Sequence, residues 1–237
     1  MSLPEIVTPE QWLVARRELL AREKEQTRQR DALNADRRRL PMVEMQKYYR
    51  FEGPAGTVGL GDLFGGRRQL VIQHAMFDPS WETACPGCSA AFDELAPAVI
   101  AHLGTRDTAF AAVSRAPFAM LASLRAAKGW EFDWYSSFGS DFNVDFLATV
   151  TPDTYNFGTY AAADDEPSEP SEVGGYSCFL RDGERIFHTY STFARGTDQV
   201  GSAYTMLDLT VLGRQEDWEE PKGRVARPHP ADPTFTS

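Results

Sequence analysis

The chain has 237 residues, of which 42% are hydrophobic, enough for one sizeable core with appended arms and too few for two full domains. Its formal net charge is −10, which argues against wholesale nucleic-acid binding because phosphate contacts need a basic face. Three cysteines make no disulfide framework, no apolar run approaches the ~20 residues that span a bilayer, and the opening MSLPEIVTPEQW lacks a basic stretch followed by an apolar one, so the expected location is cytoplasmic.

Residues 1–47 read as a helical arm. Thr8 is placed as N-cap, Pro9 falls in the first turn, and Gln11 can reach back as in a capping box. Helix formers continue to Leu40, and Pro41 ends them. Trp12, Leu19 and Leu20 make one apolar patch, Leu33 and Leu40 another, with the polar AREKEQTRQRD between them. Such a helix lies on a surface or reaches across to a second subunit, so a homodimer joined through it is compatible with the pattern. The Arg37-Arg38-Arg39 cluster is read as a solvated face.

Residues 48–213 read as one α/β domain. YYRFEGPAGTVGLGDLFGGRR carries three turn signals and suits a small hairpin. The apolar run Leu70 to Phe77 is a buried strand, followed by Cys85-Pro86-Gly87-Cys88 and one amphipathic helix that Gly104 can stop, with Phe92, Leu95, Val99 and Leu103 on its inner stripe. AFAAVS (109–114) is a second strand, Pro117 opens a helix with Phe118, Leu121 and Leu124 inward, and Phe132 to Ser136 is a third strand. Strands alternating with helices imply parallel neighbours covered on both faces. Residues 148–175 are acidic and rich in Pro, Ser, Ala and Gly, and read as a flexible loop or lid. YSCFLRDGERIFHTYS is a hairpin around Asp182-Gly183 that makes the sheet mixed. Asp198 to Leu207 suits a last helix, and 214–237 a loosely packed tail.

The chemistry sits where strand meets helix. A helix N-terminus carries a partial positive charge and unpaired N–H donors, which favour thiolate over thiol. Cysteines so placed in C-x-x-C pairs have pKa values of roughly 3.5–7.5 against about 8.5 in solution. Cys85, nearer the helix tip, is the expected nucleophile, and Cys88, one turn on, the resolving thiol. A C-x-x-C is also half of a tetrahedral zinc site. The other candidates are Cys178, His74, His102, His188 and His229, with no second C-x-x-C and no H-x-x-x-H, so neither metal nor cofactor is expected. Trp81, just ahead of the cysteines, could pack or support docking; His188 on the hairpin could move a proton if it borders the dithiol. Asp141, Asn143 and Asp145 could hold a hard cation, or simply cap a turn.

Strand, C-x-x-C, helix, strand, helix, strand and closing hairpin is the element order of the thioredoxin fold. In more detail, EQWLVARRELLAREKE, FEGPAGTVGLGDLF, HAMFDPSWETACPGC, VSRAP, GWEFDWYSSFGSDFNVDF, RDGERIFHTYSTFARG and LDLTVLGRQE resemble the bacterial domain-of-unknown-function family 899. The resemblance implies membership of the thioredoxin-like superfamily and dithiol-disulfide oxidoreductase activity on a protein or small-molecule disulfide or thiol. Thioredoxins carry a cis-proline facing the dithiol, where this chain has Glu172-Val173-Gly174-Gly175-Tyr176. Pro79, Thr83 and Cys85 look like the proline, threonine and peroxidatic cysteine of peroxiredoxins, one residue too close, and Arg115 is a candidate for their arginine. Thiol-disulfide exchange by Cys85 and Cys88 is therefore the leading reading, with Trp81, Thr83, Pro86, Arg115 and His188 as supporting residues. A peroxiredoxin-like thiol peroxidase and a metal-binding or scaffold protein remain the alternatives.

Overall fold

The computed structural model describes residues 3–151, 153–158, 170–212, 214–223 and 225–228. The acidic middle of the expected loop (159–169) and the chain end with His229 lie outside them.

Helix α1 (Pro9–Arg37) begins as the capping pattern requires: the Gln11 N–H donates to Thr8 Oγ1 and the Thr8 N–H to Gln11 Oε1. Strand β1 (Val43–Glu44) follows, then the hairpin β2 (Arg50–Gly53) and β3 (Gly56–Gly59), and β4 (Gln69–His74). After the cysteines come α2 (Pro86–Asp93), α3 (Pro97–Gly104), β5 (Thr108–Ser114), α4 (Phe118–Lys128) and β6 (Trp134–Ser136). The short α5 (Phe142–Asp145), β7 (Thr149–Val150), β8 (Ser171–Glu172), β9 (Gly175–Asp182), β10 (Arg185–Phe193) and α6 (Ser202–Leu207) complete the order.

Eight strands form one mixed sheet in the order β1-β10-β9-β4-β5-β6-β2-β3. β4, β5 and β6 are parallel, as strands joined by helical crossovers must be, while β9 runs antiparallel to β4 and β10 to β9. With the C-x-x-C at the start of the helix that follows the central strand and its loop, and a hairpin closing one side, this is a thioredoxin-like fold with a long helical extension. Side chains alternate across the sheet and build two cores. Leu70, Ile72, Val113, Phe142, Phe146 and Phe179 fill one face; Ala112, Leu121, Phe92, Trp130, Phe132 and Trp134 fill the other.

Two expectations are corrected. The helix after the cysteines is two helices, because Pro97 has no N–H to offer Asp93 and its ring forces Ala96 to ψ 147°. The predicted stripe breaks with it: Phe92 is buried, but Val99 is exposed. The last helix starts at Ser202, after a 3₁₀ turn at Ala194–Thr197. Both ends of the 148–175 stretch are paired, β7 with β8. Beyond α6, the nearly covered Arg214 binds Asp198 at 2.9 Å and Asp208 at 2.8 Å.

Candidate active site

β4 delivers the chain to the dithiol. Its pairing extends one residue, the Ala75 N–H donating to the Val113 carbonyl at 2.9 Å. Met76 then engages both cysteines. Its carbonyl accepts from the Cys85 N–H at 2.9 Å, and its own N–H donates to Cys88 Sγ at 3.3 Å. Cys85 is the N-cap of α2, with Pro86 at the first helical position and the Cys85 carbonyl accepting from the Ser89 N–H at 3.0 Å. Both thiols are partly exposed. The helix is seated by Phe92, whose ring lies 4.6–5.2 Å from Phe132, Trp130 and Trp134, and the Trp130 indole N–H donates to Asp93 at 2.9 Å.

Where thioredoxins place a proline, Gly174 lies against the Cys88 sulfur. A Cβ there would sit 3.4 Å from Cys88 Sγ and 3.8 Å from Met76 Sδ. Two residues on and on the same sheet face, Tyr176 meets Cys88 and Glu94; burial first, then these two neighbours, push its phenol up. Glu94 ties the end of α2 to α6 by accepting the Ala203 N–H at 3.0 Å. Cys178 is next on that face, and burial pushes its thiol up as well, which makes it a poor nucleophile.

Arg115, at the end of β5, joins the two segments that flank the dithiol. Its Nε donates to Glu172 at 2.7 Å, and its Nη2 to Asp78. Glu172, whose side chain is 2% exposed, also accepts from Thr149 at 2.7 Å and Asn143 at 3.0 Å. Burial raises the Asp78 carboxyl, but the Ser80 hydroxyl and N–H together with Arg115 outweigh it and hold the group below its ordinary value. Trp81 and Thr83 are exposed on the loop between Asp78 and Cys85, and Pro86 is exposed at the helix tip.

His188 is elsewhere. It lies on the opposite face of the sheet among Phe146 and Phe179, and a chain of 2.7 Å contacts runs from it through Ser191 and Ser177 to the buried His74. The structure therefore does not bring His188 to the dithiol. Burial lowers His74 to about 3, helped by His188, and lowers His188 too, against a partial opposing pull from the Tyr190 backbone. The Asp141 and Asp145 carboxylates are taken by the Lys47 ammonium, at 2.7 and 2.6 Å. Among the described residues no cluster of three or more His, Cys, Asp or Glu is arranged to hold a metal ion.

Sequence reasoning missed Met76, Asp78, Glu172 and Tyr176. The Asp-Pro-Ser turn that orients Asp78, through 2.8 and 2.6 Å bonds from Ser80, was the one local signal available. No helix of the described residues is long and apolar enough to cross a membrane.

A family model described as a bacterial protein of unknown function (DUF899) matches residues 1–230. No curated protein matches. Among solved structures, the chain is similar to a mutant of peroxiredoxin Q from Xanthomonas campestris, at 14% identity and a TM-score of 0.42, covering 61% of this chain and 79% of that one. It is similar to a candidate protein disulfide isomerase from Bacteroides thetaiotaomicron, at 17% identity and a TM-score of 0.39, over 65% and 82% of the two chains. The peroxidoxin BcpB of Mycobacterium tuberculosis follows at 12% and 0.39, over 62% and 80%.

Proposed function

We propose that this chain, which belongs to the bacterial family of proteins of unknown function DUF899, is a thiol-disulfide oxidoreductase working through Cys85 and Cys88. The observation that carries the reading is the position of Cys85 as N-cap of α2, with Cys88 in the first turn and both joined to Met76. The helix end favours the Cys85 thiolate.

The thiolate attacks one sulfur of a disulfide, forming a Cys85 mixed disulfide and releasing the other substrate sulfur as a thiolate that takes a proton from solvent. Cys88, deprotonated, attacks Cys85 Sγ; the intramolecular disulfide forms and the second substrate thiol leaves. Two electrons pass from the dithiol to the substrate, and the reverse sequence oxidises a dithiol. The Met76 N–H stabilises developing charge on Cys88 while it is a thiolate. The substrate class is a protein or small-molecule disulfide or thiol, and the expected compartment is the cytoplasm.

The likeness to peroxiredoxins would assign Arg115 to the peroxidatic thiol, but its Nε and Nη2 are engaged by Glu172 and Asp78, which favours disulfide exchange. Alkylation followed across pH tests the proposal. Cys85 is expected to react near neutrality faster than a model thiol, and the Cys85–Cys88 couple to show a reversible potential. A Cys85 no more reactive than a free cysteine near pH 7 would overturn the activated-nucleophile mechanism.

A further inference from the structure

α1 runs for 29 residues and has no buried residue. Trp12, at 58% exposure, stands with Leu13, Leu19 and Leu20 on its first three turns, and Leu33 is exposed further along. Arg16 and Glu23 pair at 2.8 Å across the same face. The helix touches the body at its far end, where the Arg37 guanidinium lies 5.4 Å from the centre of the Tyr190 ring. Residues 38–42 then lead to β1, which is fixed to β10 at the sheet edge. In water a free helix draws little stability from propensity alone, and its apolar face normally supplies the rest by packing. A helix whose apolar side chains face solvent is half of a contact.

We infer that α1 is an exchanged arm, laid on the body of a second copy of this chain in a symmetric dimer. Two observations select that occupant. Residues 9–39 hold nine of the 24 Lys and Arg but six of the 34 Asp and Glu, so the arm is net positive, while the remaining 15 and 28 leave the rest of the chain strongly negative. A basic arm fits the acidic body of its own twin. The second is area. The helix is ~43 Å long and ~10 Å wide, roughly 430 Å² per face. Two arms on two bodies cover four such faces, roughly 1,700 Å² in all, the size of a standard stable interface. Two arms zipped only to each other cover about 860 Å², nearer the size of a lattice contact. The inference is independent of the redox reading, since neither cysteine enters it.

The test uses the full chain. Light scattering is expected to give twice the 26.5 kDa chain mass, and a benzophenone amino acid at position 12, in copies mixed with isotope-labelled ones, to cross-link to residues 48–212 of the other copy. Trp12→Asp and Leu20→Asp should each weaken self-association about 30-fold, as loss of a hot-spot side chain does, without changing the dithiol potential. Because Trp12 and Leu20 are both exposed within one chain, the substitutions fall on the surface of the monomer; circular dichroism and the potential confirm that it is folded. Raising the salt should weaken the dimer. A monomeric mass at micromolar concentration, a cross-link to the arm's own body, a cross-link only between arms, or a dimer indifferent to both substitutions would each overturn the exchange.

Discussion

The central sheet carries a run of polar contacts on each face, and the two are built differently. On one, Met76, Cys88, Gly174 and Tyr176 surround a pair of sulfurs that solvent reaches. On the other, His74, Ser177, Ser191 and His188 are strung at 2.7 Å intervals among phenylalanine rings. Imidazoles are the usual residues for moving protons near neutrality, yet here burial disfavours the charged form of both and a full sheet separates them from the thiols. The dithiol face is built from backbone groups and a helix end. The histidine face is a chain of side-chain hydrogen bonds in which desolvation disfavours charge. The contrast teaches that the type of a side chain says less about its job than which side of a strand it occupies.

The sharpest way to break this comparison is to remove a sulfur. Cys85→Ser should abolish disulfide reduction, whereas Cys88→Ser should still attack and then stall as a mixed disulfide that mass spectrometry detects. If instead His188→Ala were to abolish exchange while leaving the fold intact, the division between the faces would be wrong.

The two neighbouring glycines sharpen it next. A Cβ on Gly175 would fall 2.3 Å from Phe193 Cδ1 and 2.6 Å from the Thr192 carbonyl oxygen, so Gly175→Ala must displace backbone and should cost about 1–3 kcal/mol in urea unfolding. Gly174→Ala meets Cys88 Sγ at 3.4 Å. It should leave stability within about 0.5 kcal/mol and show itself as slower resolution of the mixed disulfide.

Arg115→Met should lower stability by about 2 kcal/mol, since it leaves the buried Glu172 carboxylate with Thr149 and Asn143 alone. The usual 3–5 kcal/mol for breaking a buried pair is reduced here because the guanidinium is 34% exposed. An unchanged urea midpoint would show that the carboxylate does not need its cation.

The last expected effect is on the histidine face and appears only in acid. His74 titrates near 3 in the folded chain and near 6.5 when unfolded, because burial disfavours its charged form. The unfolded chain therefore binds the proton first. The associated stability is complete above pH 6.5 and is lost as the pH falls from 6.5 towards 3, with His188 adding in the same direction. His74→Gln should flatten the decline of the urea midpoint over that window. A decline as steep as in the parent chain would place its origin in other groups.

What could be read from the sequence was what is local. The capping box at Thr8, the strand leading to Cys85, and the hairpin closed by the two-residue turn at Gly183, with φ 62°, all depend on neighbours within a few positions. Pro97 was equally visible, but the apolar spacing of Phe92, Leu95, Val99 and Leu103 outweighed it; a missing N–H defeats a pattern of side chains. The polar networks were not legible. Arg115 meets Glu172 across 57 positions and His74 meets Ser177 across 103, and only the strand register brings them together. Nor could sequence place His188, because a β-strand residue faces one side or the other according to pairing that its own segment does not encode.

The Met76 amide has a consequence for measurement. Its proton points at a sulfur whose electron density changes when the dithiol is oxidised, while the carbonyl of the same residue holds the other cysteine's backbone. One nitrogen resonance should therefore move with the redox state and little else, so that in a labelled sample a single peak would act as an internal voltmeter.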